Sequence, residues 1–233
     1  MIKEAIVLAG GLGTRLRKVV SDVPKPMADI NGKPFLDYLL QFLARAGIKR
    51  VILAVGYQHQ VISDYFGNSF LGMEILYSVE EELLGTGGGI KQALAFVGSE
   101  DVFVMNGDTY FDINLNHLFD FHKKKSSVLT VALKPMKKFS RYGSVVIDGS
   151  NRIVGFREKE YHEYGLINGG IYILNKNIFK EIHLPKKFSF EKEFLEEYYK
   201  VFSFYGKAFN DYFIDIGIPE DYRKFQYDIL NLI

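Results

Sequence analysis

Short apolar runs alternate with segments of helical periodicity through the first half of the 233-residue chain. Four apolar runs predict buried strands: Ala5–Ala9, Val51–Val55, Ile75–Tyr77 and Val102–Met105. Three segments between them carry apolar residues at helical spacing: Phe35–Ala46, His59–Phe66 and Gly89–Val97. This alternation predicts an α/β fold, a Rossmann-like mixed, mostly parallel sheet flanked by helices. Ligands of such sheets bind at the carboxyl ends of the strands.

The second half of the chain has shorter connections between its predicted strands. These strands are Ser127–Lys134, Ser144–Ile147, Ile153–Arg157 and Ile171–Leu174, and helices are predicted near Phe190–Tyr199 and from Pro219 onward. No linker rich in Pro, Gly or Ser separates the halves, so we expect a single domain, 1–233, with one shared sheet. Residues 1–110 are predicted to form a nucleotide-binding half and 111–233 a half that holds a second substrate.

Composition excludes several classes of function. The 29 Lys and Arg residues nearly balance the 28 Asp and Glu residues, which gives no reason to expect a nucleic-acid partner. Without cysteine there is no disulfide framework, thiolate zinc site or cysteine nucleophile, and the five histidines lack metal-ligand spacing. The N-terminal apolar run Ala5–Ala9 ends at Gly10, too short for a signal peptide or a membrane span, so we expect a cytoplasmic protein without a membrane partner.

A glycine-rich loop directly follows the first predicted strand. It reads Leu8-Ala9-Gly10-Gly11-Leu12-Gly13-Thr14-Arg15-Leu16, and Pro24-Lys25-Pro26 follows it. Glycines let backbone N–H groups approach phosphate oxygens because no Cβ stands in the way. Arg15 can make forked hydrogen bonds to phosphate, and Lys25 adds a point charge. The loop matches neither the dinucleotide pattern G-x-G-x-x-G nor the P-loop pattern.

With these two elements and six further landmarks, the chain resembles the sugar-1-phosphate nucleotidyltransferases, also called sugar-nucleotide pyrophosphorylases. The signature of that family is G-G-x-G-T-R-L followed by a Pro-Lys or Lys-Pro element, here at 10–16 and 24–26. The other landmarks are Gly85-Thr86-Gly87-Gly88-Gly89, Asn106-Gly107-Asp108, Tyr142-Gly143, Phe156-Arg157-Glu158-Lys159, Asn168-Gly169-Gly170 and Asp215-Ile216-Gly217. The resemblance implies the GT-A-like nucleotidyltransferase form of the fold, an enzyme, and a nucleoside triphosphate and a sugar 1-phosphate as substrates.

The resemblance also implies roles in nucleotide binding and catalysis. The implied nucleotide-binding residues are Leu8, Gly10, Gly11, Gly13, Thr14, Glu80, Gly85 and Thr86, and the implied catalytic residues are Arg15, Lys25 and Asp108. The glycines that start at Gly85 would let the chain pass close to a base or ribose. Glu80 stands where the family places a base-reading side chain, and a carboxylate suits the two N–H donors of guanine, so GTP is favoured. Because Glu81 and Glu82 follow it, a plain acidic surface loop is an equal alternative.

Two aspartates are candidate ligands for Mg²⁺. Asp108 ends a buried strand at the ligand edge of the sheet, and Asp215 closes the apolar stretch that begins at Phe213. Mg²⁺ takes one or two carboxylates together with phosphate oxygens, and the family would place both aspartates around the same metal ion. For either residue alone, the alternative is a helix cap or a turn.

The sugar phosphate has its own implied residues: Gly143, Glu158, Lys159 and Asn168. Without the family context, Glu158 and Lys159 also read as an exposed, charged strand end. The family reaction joins the sugar phosphate to the α-phosphorus of the triphosphate and releases pyrophosphate. Its nucleophile is already an anion, so charge neutralisation and alignment are needed rather than a general base.

Two segments are most similar to the guanylyltransferase branch that uses D-glycero-α-D-manno-heptose 1-phosphate and makes GDP-heptose for bacterial surface polysaccharides. They are Leu83–Ile90 and Ile167–Leu174. Gly169, where mannose-type members often carry Ala, is predicted to leave room for a larger sugar. Mannose 1-phosphate with GTP, or another sugar 1-phosphate with UTP, dTTP or CTP, remains an alternative. A non-catalytic nucleotide-sensing subunit and both a monomer and a homodimer also stay open, whereas Asn106-Gly107-Asp108 disfavours the Asp-x-Asp motif of glycosyltransferases.

Overall fold

The computed structural model describes residues 1–11, 23–157 and 160–232, with Arg157 described by its backbone alone. Its strands are β1 (Glu4–Leu8), β2 (Asp29–Ile30), β3 (Lys33–Pro34), β4 (Arg50–Val55), β5 (Ser69–Phe70), β6 (Met73–Val79), β7 (Asp101–Asn106), β8 (Thr109–Phe111), β9 (Leu129–Phe139), β10 (Ser144–Ile147), β11 (Ile153–Arg157), β12 (His162–Asn175), β13 (Phe204–Ala208) and β14 (Phe213–Asp215). Its α-helices are α1 (Phe35–Arg45), α2 (His59–Phe66), α3 (Gly85–Ala93), α4 (Leu115–Lys125), α5 (Glu196–Tyr198) and α6 (Pro219–Asp228). Short 3₁₀ turns cover Lys25–Met27, Leu94–Phe96 and Ile229–Asn231, and a π-helical turn covers Phe190–Leu195.

One large mixed sheet runs through both halves of the chain. Its strand order is β11-β10-β12-β7-β1-β4-β6-β5, with β9 paired to β12 and β13 paired to β9. Strands β7, β1, β4 and β6 are parallel to one another, whereas β12 runs antiparallel to β7, β9 and β10. The predicted α/β class, with a mixed sheet shared by both halves, is confirmed.

Helices cover both faces of the sheet, so its central strands are buried on each side. Ala5 and Val7 of β1 pack into the core that contains α1 and α6, while Ile6 packs into the opposite core against α3 and the π-helical turn. Successive strand residues point to opposite faces, so a strand buried on both sides is apolar at every position. This is why β1 and its neighbours appear in the sequence as unbroken apolar runs.

The chain departs from the predicted boundaries at two places near the ligand edge. Helix α3 begins at Gly85, four residues before the predicted start, although glycine is a poor helix former. Packing explains the difference, because a Cβ at Gly87 would lie 2.1 Å from Cε2 of Phe188. The predicted helix near Phe190–Tyr199 begins as the π-helical turn, capped by the Ser189 hydroxyl, which accepts a hydrogen bond from Lys192 N. No helix in the described parts of the chain has the length and apolar character needed to span a bilayer.

Candidate functional site

Two cavities lie side by side at the carboxyl edge of the parallel strands. The first, here called the Glu80 cavity, has a volume of about 370 Å³ and the second, here called the Asn168 cavity, about 380 Å³. Of the predicted site residues, Leu8, Gly10, Gly11, Lys25, Glu80, Gly85, Thr86 and Asp108 line the Glu80 cavity. Gly143, Asn168, Asp108 and Asp215 line the Asn168 cavity. Asn106 and Asp108 belong to both walls, so the two cavities meet there.

The remaining predicted site residues lie outside the described residues. They are Gly13, Thr14 and Arg15 of the glycine-rich loop, and Glu158 and Lys159 after β11. Their roles stay predictions. The described residues of both predicted groups nevertheless gather at one edge of the sheet.

The turn between β7 and β8 places Asp108 at the junction of the two cavities. Gly107 N donates a hydrogen bond to the carbonyl oxygen of Leu8 over 3.0 Å, which ties the turn to the end of β1. A Cβ at Gly107 would lie 2.4 Å from that oxygen, so only glycine lets the turn approach β1 this closely. Asp108, the second residue of this turn, therefore lies close to the carboxyl end of β1.

Asp215 reaches the same point from a distant part of the chain. Strand β14 runs antiparallel to β8, with Asp215 opposite Thr109, and Ile216 N donates a hydrogen bond to the carbonyl oxygen of Asp108. Lys25 Nζ lies between the two carboxylates, 2.6 Å from Asp108 Oδ2 and 3.5 Å from Asp215 Oδ1. One largely buried cation thus sits between two acidic side chains that line the cavities.

The charge balance of this pair favours an additional cation. Burial raises the pKa of Asp215, the negative charge of Asp108 raises it further, and Lys25 and the N–H of Gly217 only partly offset both effects. Carboxylate oxygens are the protein ligands that Mg²⁺ prefers, and phosphate oxygens complete its coordination sphere. Asp108 and Asp215 therefore fit a divalent cation that arrives together with a phosphate ligand.

Glu80 is the member of its acidic run that enters the cavity. Its Oε2 accepts a hydrogen bond from Leu84 N over 3.0 Å, and Oε1 lies 3.3 Å and 2.7 Å from the positions that a Cβ would occupy at Gly10 and Gly89. Burial raises the pKa of Glu80, and the Leu84 hydrogen bond opposes this effect. Glu81 is exposed, and the exposed Glu82 pairs with Lys186. The alternative of an acidic surface loop thus describes Glu81 and Glu82 but not Glu80.

Part of the glycine run that starts α3 makes room for protein, whereas the approach of its other glycines to a base stays a prediction. The space next to Gly87 is filled by the ring of Phe188, and the space next to Gly88 by the carbonyl oxygen of Lys186. Gly85 has a φ of +73°, and a Cβ there would lie 2.6 Å from the carbonyl oxygen of Phe188. Gly85 still lines the Glu80 cavity, but Gly87 and Gly88 pack against the 186–188 segment.

Thr86 forms part of the wall between the two cavities. Its Oγ1 donates a hydrogen bond to Glu191 Oε2 over 2.7 Å and accepts one from Phe190 N over 2.9 Å. Thr86 lines the Glu80 cavity, whereas Glu191 lines the Asn168 cavity. The hydrogen bond from Thr86 to Glu191 therefore joins the two walls.

Asn168 is held firmly at the wall of its cavity. Its Oδ1 accepts a hydrogen bond from Gly170 N over 3.0 Å, and its Nδ2 donates one to the Tyr172 hydroxyl over 2.7 Å. The next residue, Gly169, does not line this cavity, and the ring of Phe111 occupies the space beside it. A Cβ at Gly169 would lie 2.5 Å from Cε1 of Phe111, so the prediction that Gly169 gives room to a larger sugar is wrong.

Some lining residues carry no motif that identifies them in the sequence. Ser189, Glu191 and Lys192 line the Asn168 cavity from the π-helical turn, and Lys187 lines the Glu80 cavity. The one available signal is a helix-start pattern, since Ser189 caps the turn and Glu193 accepts a hydrogen bond from Ser189 N. That pattern locates the start of the turn but not its approach to a cavity.

Comparison with known proteins shows the family of the chain. The profile of the family described as nucleotidyl transferase matches residues 4–231. The chain is 52% identical over 230 residues to the D-glycero-alpha-D-manno-heptose 1-phosphate guanylyltransferase of Aneurinibacillus thermoaerophilus, covering 99% of this chain and 100% of that protein. It is 53% identical to the protein of the same name from Campylobacter jejuni, covering 95% of this chain and 98% of that protein. The crystal structure of HddC from Yersinia pseudotuberculosis complexed with GMP-PN superposes with a TM-score of 0.88 at 38% identity, covering 98% of this chain and 100% of that one. The chain belongs to the nucleotidyl transferase family.

Proposed function

We propose that the protein transfers the guanylyl group of GTP to D-glycero-α-D-manno-heptose 1-phosphate, which gives GDP-heptose and pyrophosphate. One observation carries the proposal: the two cavities meet at Asp108. There, Lys25 forms ion pairs with both Asp108 and Asp215. A transferase of this kind must bring a nucleotide and a sugar phosphate together at one phosphorus atom. Two adjoining cavities with charged groups at their junction provide that arrangement.

The base is assigned to the Glu80 cavity. A carboxylate there accepts hydrogen bonds from the N1–H and N2–H₂ groups of guanine, whereas it would face the carbonyl oxygen at position 4 of uracil or thymine. Two similar proteins are named guanylyltransferases, and the similar structure of HddC holds GMP-PN. Both observations support GTP as the triphosphate.

The sugar phosphate is assigned to the Asn168 cavity. Gly143 and Asn168 line it, and we assign Glu158 and Lys159 the sugar hydroxyls and the sugar phosphate by their match to the family motif. The heptose itself is supported by the identity of more than half of the residues with two enzymes named for it.

The reaction needs positioning and positive charge more than proton transfer. A phosphate oxygen of the sugar 1-phosphate attacks the α-phosphorus of GTP, while the bond to the bridging oxygen of the β-phosphate breaks and pyrophosphate leaves. The two substrates bring roughly six negative charges when fully ionised. We assign Lys25 and Arg15 the role of binding phosphate oxygens, with Asp108 and Asp215 as ligands for Mg²⁺. A bound Mg²⁺ supplies charge neutralisation and fixes phosphate oxygens in place.

A pyrophosphate-release assay tests the proposal. The protein is incubated with Mg²⁺ and D-glycero-α-D-manno-heptose 1-phosphate, and GTP, UTP, CTP, dTTP and ATP are presented separately. We expect release with GTP and a product with the mass of GDP-heptose. Release with another triphosphate alone would refute the role of Glu80 in base selection. If the heptose phosphate gives no pyrophosphate release with any triphosphate, and mannose 1-phosphate does, the assignment of the heptose as the sugar is refuted.

A further inference from the structure

Glu191 lines the Asn168 cavity, and no sequence motif points to it. Its carboxylate projects from the π-helical turn, and its Oε2 accepts two hydrogen bonds, from Thr86 Oγ1 over 2.7 Å and from Ser189 Oγ over 3.0 Å. Two hydroxyl donors on one oxygen fix the plane of the carboxylate. The side chain is therefore oriented before any substrate arrives.

The second carboxylate oxygen is unused within the described part of the chain. There, Glu191 Oε1 accepts no hydrogen bond, and no Lys, Arg or His side chain pairs with Glu191. The residue is half-buried in a cavity wall, where a charged acceptor gains from a donor that enters the cavity. An oriented carboxylate with one free oxygen is suited to accept hydrogen bonds from hydroxyl groups.

We propose that Glu191 determines specificity by accepting a hydrogen bond from a ring or side-chain hydroxyl of the sugar. This inference rests on the proposed function, since it needs a sugar in the Asn168 cavity. The proposed reaction sets the direction in which the sugar lies, because its phosphate must reach the junction with the Glu80 cavity, where Lys25 pairs with Asp108. The hydroxyls then face the π-helical turn.

The hydrogen bond from Thr86 links this contact to the nucleotide side. Thr86 lines the Glu80 cavity and holds Glu191 from there, so one hydroxyl helps to set the position of the sugar acceptor. Thr86→Val keeps the shape of the threonine but removes both the donor to Glu191 and the acceptor of the hydrogen bond from Phe190 N. We expect this variant to weaken sugar binding, as a substitution of Glu191 does. The effect should be smaller, because the Ser189 hydroxyl still donates a hydrogen bond to the carboxylate.

Equilibrium binding of the two ligands GDP and GDP-heptose separates the sugar contact from the nucleotide contacts. In Glu191→Gln, the amide oxygen keeps the hydrogen bonds from Thr86 and Ser189. The amide NH₂ group, a donor, then takes the place of the carboxylate oxygen that faces the cavity. By titration calorimetry, we expect the affinity for GDP-heptose to fall about tenfold, and that for GDP to stay within about twofold. Glu191→Ala should lower the affinity for GDP-heptose further.

Glu197→Gln is the matched control, because Glu197 is an exposed carboxylate on α5 whose partner is Lys200 at 3.8 Å. We expect it to bind both ligands as the wild type does. Equal weakening of GDP and GDP-heptose in Glu191→Gln would mean that Glu191 only supports the wall, and unchanged binding of GDP-heptose would exclude the contact. Either result overturns the inference. Thermal unfolding of each variant verifies that the fold is intact.

The wild-type protein keeps this test separate from the proposed function. If it makes GDP-mannose rather than GDP-heptose, the heptose assignment fails, and the same titrations are run with GDP-mannose and GDP. If Glu191→Gln then has a lower affinity for GDP-mannose and an unchanged affinity for GDP, the role of Glu191 is still supported. If the affinity of Glu191→Gln is unchanged for both ligands, that role is refuted, whichever sugar the enzyme uses.

Discussion

Replacing Gly169 with alanine distinguishes between two explanations of this glycine. If Gly169 gave room to the sugar, an added methyl group would change the preference between heptose and mannose 1-phosphate. The structure instead places the added Cβ 2.5 Å from Cε1 of Phe111 and 2.8 Å from the carbonyl oxygen of Ala132. Phe111 is almost fully buried, and its ring packs edge-on against Phe209 and Phe213, so it has little space to move.

The expected effect of Gly169→Ala is therefore a loss of stability. Overpacking a well-packed core by a methyl group costs about 1–3 kcal/mol. For 233 residues, an unfolding entropy of about 2 cal/mol/K per residue converts this cost into a fall of about 2–6 °C in Tm. Differential scanning calorimetry measures Tm, and kcat/KM for the two sugar phosphates measures selectivity. We expect the ratio of the two kcat/KM values to stay within about twofold of that of the wild type.

Gly149→Ala is the control for this experiment. Gly149 lies in an exposed turn, and nothing lies within 4 Å of the Cβ that alanine would add. We expect its Tm to match that of the wild type. If Gly169→Ala kept the wild-type Tm and moved the selectivity toward mannose 1-phosphate, the packing argument would be refuted and the sugar explanation restored.

Three further predictions concern the charged residues of the site. Asp108→Asn should lower kcat by about 10²–10³-fold with an unchanged circular dichroism spectrum, and full activity at saturating Mg²⁺ would exclude Asp108 as a metal ligand. Lys25→Met removes the cation that lies between Asp108 and Asp215, so kcat and the free energy of unfolding in urea should both fall; wild-type values of both would contradict the ion pairs. Burial raises the pKa of Glu80 above 4.5, so the folded state binds this proton more tightly than the unfolded state does. The free energy of unfolding should therefore decline as the pH rises from about 4.5 through the higher folded pKa, and Glu80→Gln should lack this part of the decline in urea titrations across that range. Parallel curves for the two proteins would show that Glu80 is not buried.

The central sheet could be predicted because its strands are buried on both faces. Ala5–Ala9 and Val102–Met105 were expected as strands, and the structure has β1 at Glu4–Leu8 and β7 at Asp101–Asn106. The helix His59–Phe66 is found with its predicted bounds. Local apolar periodicity determines such elements, so a sequence pattern is enough to locate them.

Packing between distant segments could not be predicted in the same way. The glycines of α3 were interpreted as space for a ligand, yet at Gly87 the ring of Phe188, about a hundred residues away, fills that space. Whether a glycine faces a cavity or a core depends on the far segment that packs against it. The prediction for Gly169 was wrong for the same reason, because the space beside this glycine is occupied by the ring of Phe111.

The position of the charged centre, Lys25 with Asp108 and Asp215, depends both on local sequence and on packing between distant segments. Lys25 is 83 residues from Asp108 and 190 from Asp215, and no periodicity links three such positions. What brings them together is a two-stranded ladder, β8 with β14, whose register sets Asp215 opposite Thr109, the neighbour of Asp108. A shift of one residue in this ladder would turn Asp215 to the other face, since strand side chains alternate. The short apolar strand Phe213–Asp215, anchored by the buried Ile214 and followed by the buried Ile216, therefore serves to fix a register, and the position of its carboxylate depends on that packing.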